Sequence, residues 1–333
     1  MADVALIIGN GFDIDMGIPS KYSDFIRSKE WQGVVKRVEG FLADSSYRNH
    51  SLVAQLQLAS MDSMWFDIEQ EISKFVKCHP TNSQQEIGEI KWEFDLIKEG
   101  LASYLKRITS NFTADNSKLS TALYYRMKEC PLTVTEVYFN YTYPHEYLKM
   151  PIQKEIFNGA QHWCTFVHGR LRDNDIVLGC DLQKGENVNR QLSFMYKYNQ
   201  LHRANHVARS ILEAKEIIFF GHSVNEMDFC YFKEFFKVAS ASPNPIRHLT
   251  MITYDEESER AIKDNIRNQG ISVSDLYSNL WTFEFIHTQK LYEQDDEEIK
   301  KWNELLQRLF AKDRHSAAGQ SPCANRDSQM SHK

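Results

Sequence analysis

A chain of 333 residues, 42% hydrophobic and 12% aromatic, can bury one large core or divide into two units. No apolar stretch reaches the roughly 20 residues of a membrane helix, and Met1-Ala2-Asp3-Val4 carries no basic leader, so a cytoplasmic protein with no membrane partner is expected. A formal net charge of -6 without a long Lys/Arg block disfavours nucleic acid as a partner, and six cysteines with no Cys-x-x-Cys pair point to neither a zinc knuckle nor a disulfide framework.

Val4 to Ile8 is an apolar run that breaks into Gly9-Asn10-Gly11-Phe12-Asp13, the pattern of a strand ending in a tight turn. A loop through Gly17-Ile18-Pro19 then leads to a helix capped by Ser20. From Trp31 to Glu129 the pattern is helical: Met61, Met64, Trp65, Ile68, Ile72, Phe75 and Val76 form one stripe at three- and four-residue steps, and Trp92, Leu96, Leu101 and Leu105 another. Strands resume at Thr133 to Tyr141, Cys164 to Val167, Asp175 to Leu178, Glu216 to Phe220, Leu249 to Tyr254 and Thr282 to Ile286. Helices are expected at Ser193 to Glu213, Asp228 to Val238, Glu256 to Arg267 and Glu293 to Leu309. This alternation predicts an α/β fold with a mostly parallel sheet and helices on both faces, formed by residues 1–30 and 131–312. Residues 31–130 form an all-helical insertion, and 313–333, rich in Ser, Ala, Gln and charge, a disordered tail.

Four strand ends carry residues suited to chemistry. Gly9 and Gly11 allow close backbone approach to a phosphate, with the following helix directing its positive end at it. Ile14 stands where the dinucleotide fingerprint has its third glycine and no Gly-Lys-Ser/Thr follows, so a tight turn with Asp13 as a helix cap explains the pattern equally. Asn140 and His168 end two further strands. Cleaving a nicotinamide–ribose bond passes through an oxocarbenium-like state that needs an oriented water and an acceptor for its proton; an amide suits the first role and an imidazole the second. By residue type alone, a turn-capping Asn140 and a core His168 are the plainer assignment. Gly221-His222-Ser223 offers a second nucleotide contact, with Asp228 placed to cap the next helix. His202 and His206 have metal-ligand spacing, but Arg203 stands where a zinc protease has Glu, and no metal site is assigned. Glu69 borders the buried stripe, and solvation or a salt bridge is its simplest fate.

Ile7-Ile8-Gly9-Asn10-Gly11-Phe12-Asp13, Gly17-Ile18-Pro19 with Tyr22 and Phe25, Trp65 to Glu69, Phe139-Asn140-Tyr141-Thr142, Val167-His168-Gly169 and Gly221-His222-Ser223 together resemble the AbiH bacteriophage abortive-infection family. Its motif order is similar to that of the sirtuin-like NAD-binding superfamily. The resemblance implies a sirtuin-like, Rossmann-type sheet and a defence effector that hydrolyses NAD to nicotinamide and ADP-ribose. It implies Asn140 and His168 as catalytic residues, and Gly9, Asn10, Gly11, Phe12, Asp13, Gly221, His222, Ser223 and Asp228 as nucleotide-binding ones. NAD is then the substrate and no further cofactor is required; a phage-derived trigger and a homo-oligomer complete the expectation. Two other readings stay open: a nuclease using Asp13, Glu69, His168 and Asp228, and a noncatalytic nucleotide sensor.

Overall fold

The computed structural model describes residues 2–41, 51–62, 66–79, 83–150, 156–157, 160–181, 189–199 and 204–310; Met64, Trp65, His202 and the expected tail at 313–333 lie outside these residues. Seven strands form one sheet: β1 (Val4–Ile8), β2 (Val134–Tyr138), β3 (Ile156–Phe157), β4 (Ala160–Phe166), β5 (Glu216–Phe220), β6 (Asn244–Thr253) and β7 (Leu280–His287). Their order is β3-β4-β2-β1-β5-β6-β7. β3 pairs antiparallel with β4, and every other neighbouring pair is parallel. The six parallel strands run outward from β1 in both directions, so the order reverses between β1 and β5, where ligands of such sheets usually dock.

The helices are α1 (Asn10–Met16), α2 (Tyr22–Ile26), α3 (Lys29–Phe41), α4 (Leu52–Asp62), α5 (Ile68–Cys78), α6 (Gln84–Ser110), α7 (Leu119–Lys128) and α8 (Pro144–Tyr147), then α9 (Ala204–Glu213), α10 (Lys233–Ala241), α11 (Glu256–Asn268), α12 (Val273–Asn279), α13 (Thr288–Tyr292) and α14 (Asp296–Phe310). They cover both faces of the sheet, which is why β1 is buried along its whole length and reads as an unbroken apolar run. Ala5, Ile7, Val137, Phe219 and Met251 pack against Val207 and Ile211 of α9, Phe235 and Phe236 of α10 and Ile262 of α11. Their neighbours Leu6, Ile8, Tyr138, Ile218 and Ile252 face the opposite way, onto Phe12 of α1, Leu123 and Met127 of α7 and Leu305 of α14. A third core joins α2 to α6 and is completed by Tyr141, Leu171, Leu178, Cys180, Met195 and Tyr196 from the segments that follow β2 and β4. The helical unit is thus seated on the carboxyl edge of β2 and β4, while α7 packs on the sheet face itself.

Several local expectations change. The stretch after β1 is the helix α1, ended by Gly17 in the left-handed region (φ 93). Asp13 lies within α1 and does not cap it; Gly9 takes the N-cap position. Lys21, rather than Ser20, precedes α2. The long stripe from Met61 to Val76 is two helices, because the Asp67 carboxylate accepts the Glu69 and Gln70 N–H groups and starts α5 there. Ile68, Ile72, Phe75 and Val76 are buried as expected, whereas Met61, on α4, is 72% exposed. Asp175 to Leu178 is not a strand; the Val177 N–H returns to the His168 carbonyl at 2.8 Å. Ser193 to Glu213 breaks into 3-10 turns at Arg190–Met195 and Lys197–Asn199 before α9. Asp228 to Val238 likewise opens with a 3-10 turn, Phe229–Tyr231, before α10.

The ends of β1 and β5 meet backbone to backbone. Gly9 N–H donates to the Phe220 carbonyl at 3.0 Å and Gly11 N–H to that of Gly221 at 2.8 Å. A Cβ on Gly11 would lie 2.6 Å from the Gly221 Cα, and one on Gly221, whose φ is 64, would lie 2.4 Å from Gly11. No side chain fits between them. Gly221→Ala is expected to lower unfolding free energy by about 3 kcal/mol in denaturant titration. Gly33→Ala, on α3 with open space around the added methyl, should gain about 1 kcal/mol.

Candidate functional site

The β2–β4 register brings the two strand-end residues side by side. Tyr138 pairs with Phe166, and Val167 N–H continues the ladder to the Tyr138 carbonyl at 2.8 Å, so Asn140 and His168 leave adjacent strand ends. Gly169, with φ 78, turns the chain sharply behind His168; a Cβ there would lie 1.9 Å from the Asp175 carbonyl oxygen. Both side chains are buried. His168 Nε2 lies 3.1 Å from Asp228 Oδ1, while its Nδ1 makes no hydrogen bond, and neither do the nitrogen and oxygen of the Asn140 amide. Buried polar atoms without partners are rare and mark places where the fold accepts a cost.

Asp228 is held by more than His168. Lys197 Nζ lies 2.8 Å from Glu69 Oε2 and 3.4 Å from Asp228 Oδ1, and His222 Nε2 lies 3.6 Å from Asp228 Oδ2. Burial opposes the Asp228 charge, but Lys197 and His168 outweigh it and keep its pKa well below the usual carboxylate value. Burial likewise opposes the Lys197 charge, and Asp228 with Glu69 raises its pKa well above the lysine norm. Glu69 is the group that gives up its charge: burial, aided by Asp228 and opposed by Lys197, pushes it up to about 8. His168 moves down, through burial first and Lys197 second, so its imidazole stays neutral. A neutral ring facing an ionised carboxylate through Nε2 carries its proton there and leaves Nδ1 as a free lone pair.

Asp228 was expected to cap a helix; its carboxylate makes no cap bond and holds the ion cluster instead. His222 accepts the Val224 N–H on Nδ1 at 2.9 Å, which fixes a left-handed Val224 (φ 50). Ser223 is exposed, and its carbonyl accepts from Asn265. At the first turn, the Gly9 and Gly11 amides are given to the end of β5, Phe12 is a core residue against Tyr124 and Phe220, and exposed Asn10 accepts from Ser20 Oγ at 2.5 Å.

Asp13 forms a second buried polar group. Its carboxylate accepts the hydroxyls of Thr142 and Tyr147. Burial raises its pKa to about 6 against opposition from Thr142, Tyr147 and the nearby Asn140 amide. Of the residues in the nuclease reading, Glu69, His168 and Asp228 therefore meet around Lys197, while Asp13 is bound up with Thr142 and Tyr147. Among the described residues no group of three or more His, Cys, Asp or Glu is arranged to hold a metal ion.

Sequence reasoning missed Lys197, Thr142 and Tyr147. Lys197 sits in Met195-Tyr196-Lys197 with no periodicity or motif to mark it. Thr142 lay inside the quoted Phe139-Asn140-Tyr141-Thr142 run, and its place two residues beyond Asn140 was the one available signal. The family model described as Bacteriophage abortive infection AbiH matches residues 5–247. No curated protein and no solved structure matches the chain.

Lys197→Met strands Asp228 without its cation and should cost about 3–5 kcal/mol in urea unfolding at pH 7, far more than Glu69→Gln, which replaces a carboxyl already inclined to be neutral. Asp13 supplies a pH signature. Its folded pKa of about 6 exceeds the ordinary 3.8, so the stability it contributes is full below pH 3.8 and lost as pH rises through 6. Asp13→Asn should flatten that fall, worth up to about 3 kcal/mol, in thermal melts from pH 4 to pH 7.

Proposed function

The chain belongs to the bacteriophage abortive infection AbiH family, and from that footing we propose that this phage-defence protein is an effector that hydrolyses NAD to nicotinamide and ADP-ribose. One observation carries the reading. A neutral imidazole is tied through Nε2 to an ionised carboxylate, its Nδ1 is unpartnered, and the adjacent strand end carries an amide whose two polar atoms make no hydrogen bond.

The chemistry follows from those atoms. Water attacks the anomeric carbon of the nicotinamide riboside as the glycosidic bond breaks, and nicotinamide leaves as a neutral molecule with the bonding pair. The proton released by water passes to His168 Nδ1, and Asp228, already ionised, stabilises the imidazolium that forms. Asn140 orients the water or a ribose hydroxyl, accepting through its oxygen and donating through its nitrogen. Lys197 keeps Asp228 ionised in a buried setting and so acts as a positioning residue. The step uses no group beyond these side chains, substrate and water.

Purified protein carrying His168→Ala or Asn140→Ala should lose NAD hydrolysis by a factor of about 10² to 10⁴ while melting within a few degrees of the parent. Mass spectrometry of nucleotides from phage-infected cells should show nicotinamide and ADP-ribose rising only with the parent protein. Undiminished turnover in His168→Ala, or steady NAD in infected cells carrying the parent, would refute the assignment.

A further inference from the structure

A cavity of about 330 Å³ opens between the carboxyl end of α6, α8 and the turn after β4. Its rim carries Lys106, Lys149 and Arg172, all exposed. The acid among its lining residues, Glu146, is engaged by Arg170 and lies 4.0 Å from Arg172, so three rim cations face one carboxylate that Arg170 already neutralises and the rim as a whole is cationic. Tyr143 aside, whose hydroxyl pairs with Cys164 Sγ, the lining hydroxyls share an orientation. Thr142 and Tyr147, on the buried side, give their protons to Asp13. Thr109 and Ser110, on the α6 side, give theirs to the carbonyls of Leu105 and Arg107 at 2.7 and 3.0 Å. With their hydrogens committed, the oxygens of these four lining residues are left as acceptors.

Acceptors on the walls and cations on the rim call for a ligand that donates hydroxyl hydrogens and bears negative charge. We propose that this cavity receives a phosphorylated ribose unit, its sugar hydroxyls donating to Thr142 and Tyr147 and its phosphate held by Lys106, Lys149 and Arg172. The glycine turn is a poor rival for that phosphate, because the Gly9 and Gly11 amides are already donated to β5. Asp13 links this cavity to the catalytic pair, bonded to Thr142 and adjacent to the Asn140 amide. The inference rests on the NAD reading for the ligand's identity and locates its ribose phosphate away from the first turn.

Calorimetric titration of the full chain with ADP-ribose tests it without turnover. The parent and His168→Ala should bind alike, while Lys106→Glu/Arg172→Glu, altered only at exposed positions, should bind at least tenfold more weakly with an unchanged melting temperature. Equal affinity in the double variant, or no binding by the parent, would overturn the proposal. Charge-dependent binding without NAD cleavage would uphold the cavity and remove the hydrolase reading. NAD cleavage with an unaltered KM in the double variant would do the reverse.

Discussion

The structure turns on one buried ammonium. Lys197 is 1% exposed and bridges Glu69, on the helical unit, to Asp228, at the carboxyl edge of the sheet. Removing a cation from water costs several kcal/mol, which only close counter-charges offset, so the three segments that supply these groups must come together for any one of them to be tolerated. That requirement ties the helical unit to the strand ends. Burial and these charges together set the protonation nearby: Lys197 and His168 hold the Asp228 pKa down, burial pushes that of Glu69 up against Lys197, and burial with Lys197 lowers that of His168.

The sheet was legible where its strands are buried on both faces. Val4 to Ile8 and Glu216 to Phe220 could be bounded to the residue, because an unbroken apolar run that stops at glycine has little other explanation. The antiparallel β3, Ile156–Phe157, left no comparable trace in so short a segment. The stripe through Met61 to Val76 misled for a physical reason: helical spacing can persist by chance across a break, and what decides the break is one capping carboxylate, Asp67.

The site was legible as a set of strand ends and illegible as a network. Asn140 and His168 could be paired on paper because both follow parallel strands, and parallel register carries such residues to one edge. Lys197 could not, since nothing local distinguishes a lysine destined for burial from one in water; its partners are 128 and 31 residues away. The glycines were visible, but the contact that requires them was not. Their small size serves the approach of one strand end to another, a demand that appears only when β5 is placed beside β1.

Two histidines flank the Asp228 carboxylate, and the backbone separates their duties. A β-branched residue in the left-handed region costs about 1–2 kcal/mol, and the fold meets that cost at Val224 with a bond from its amide to the His222 ring. That bond consumes the one lone pair a neutral imidazole possesses. His222 is thereby a structural brace for the strained turn at Val224, while the Nδ1 of the second ring, His168, makes no such bond to the backbone.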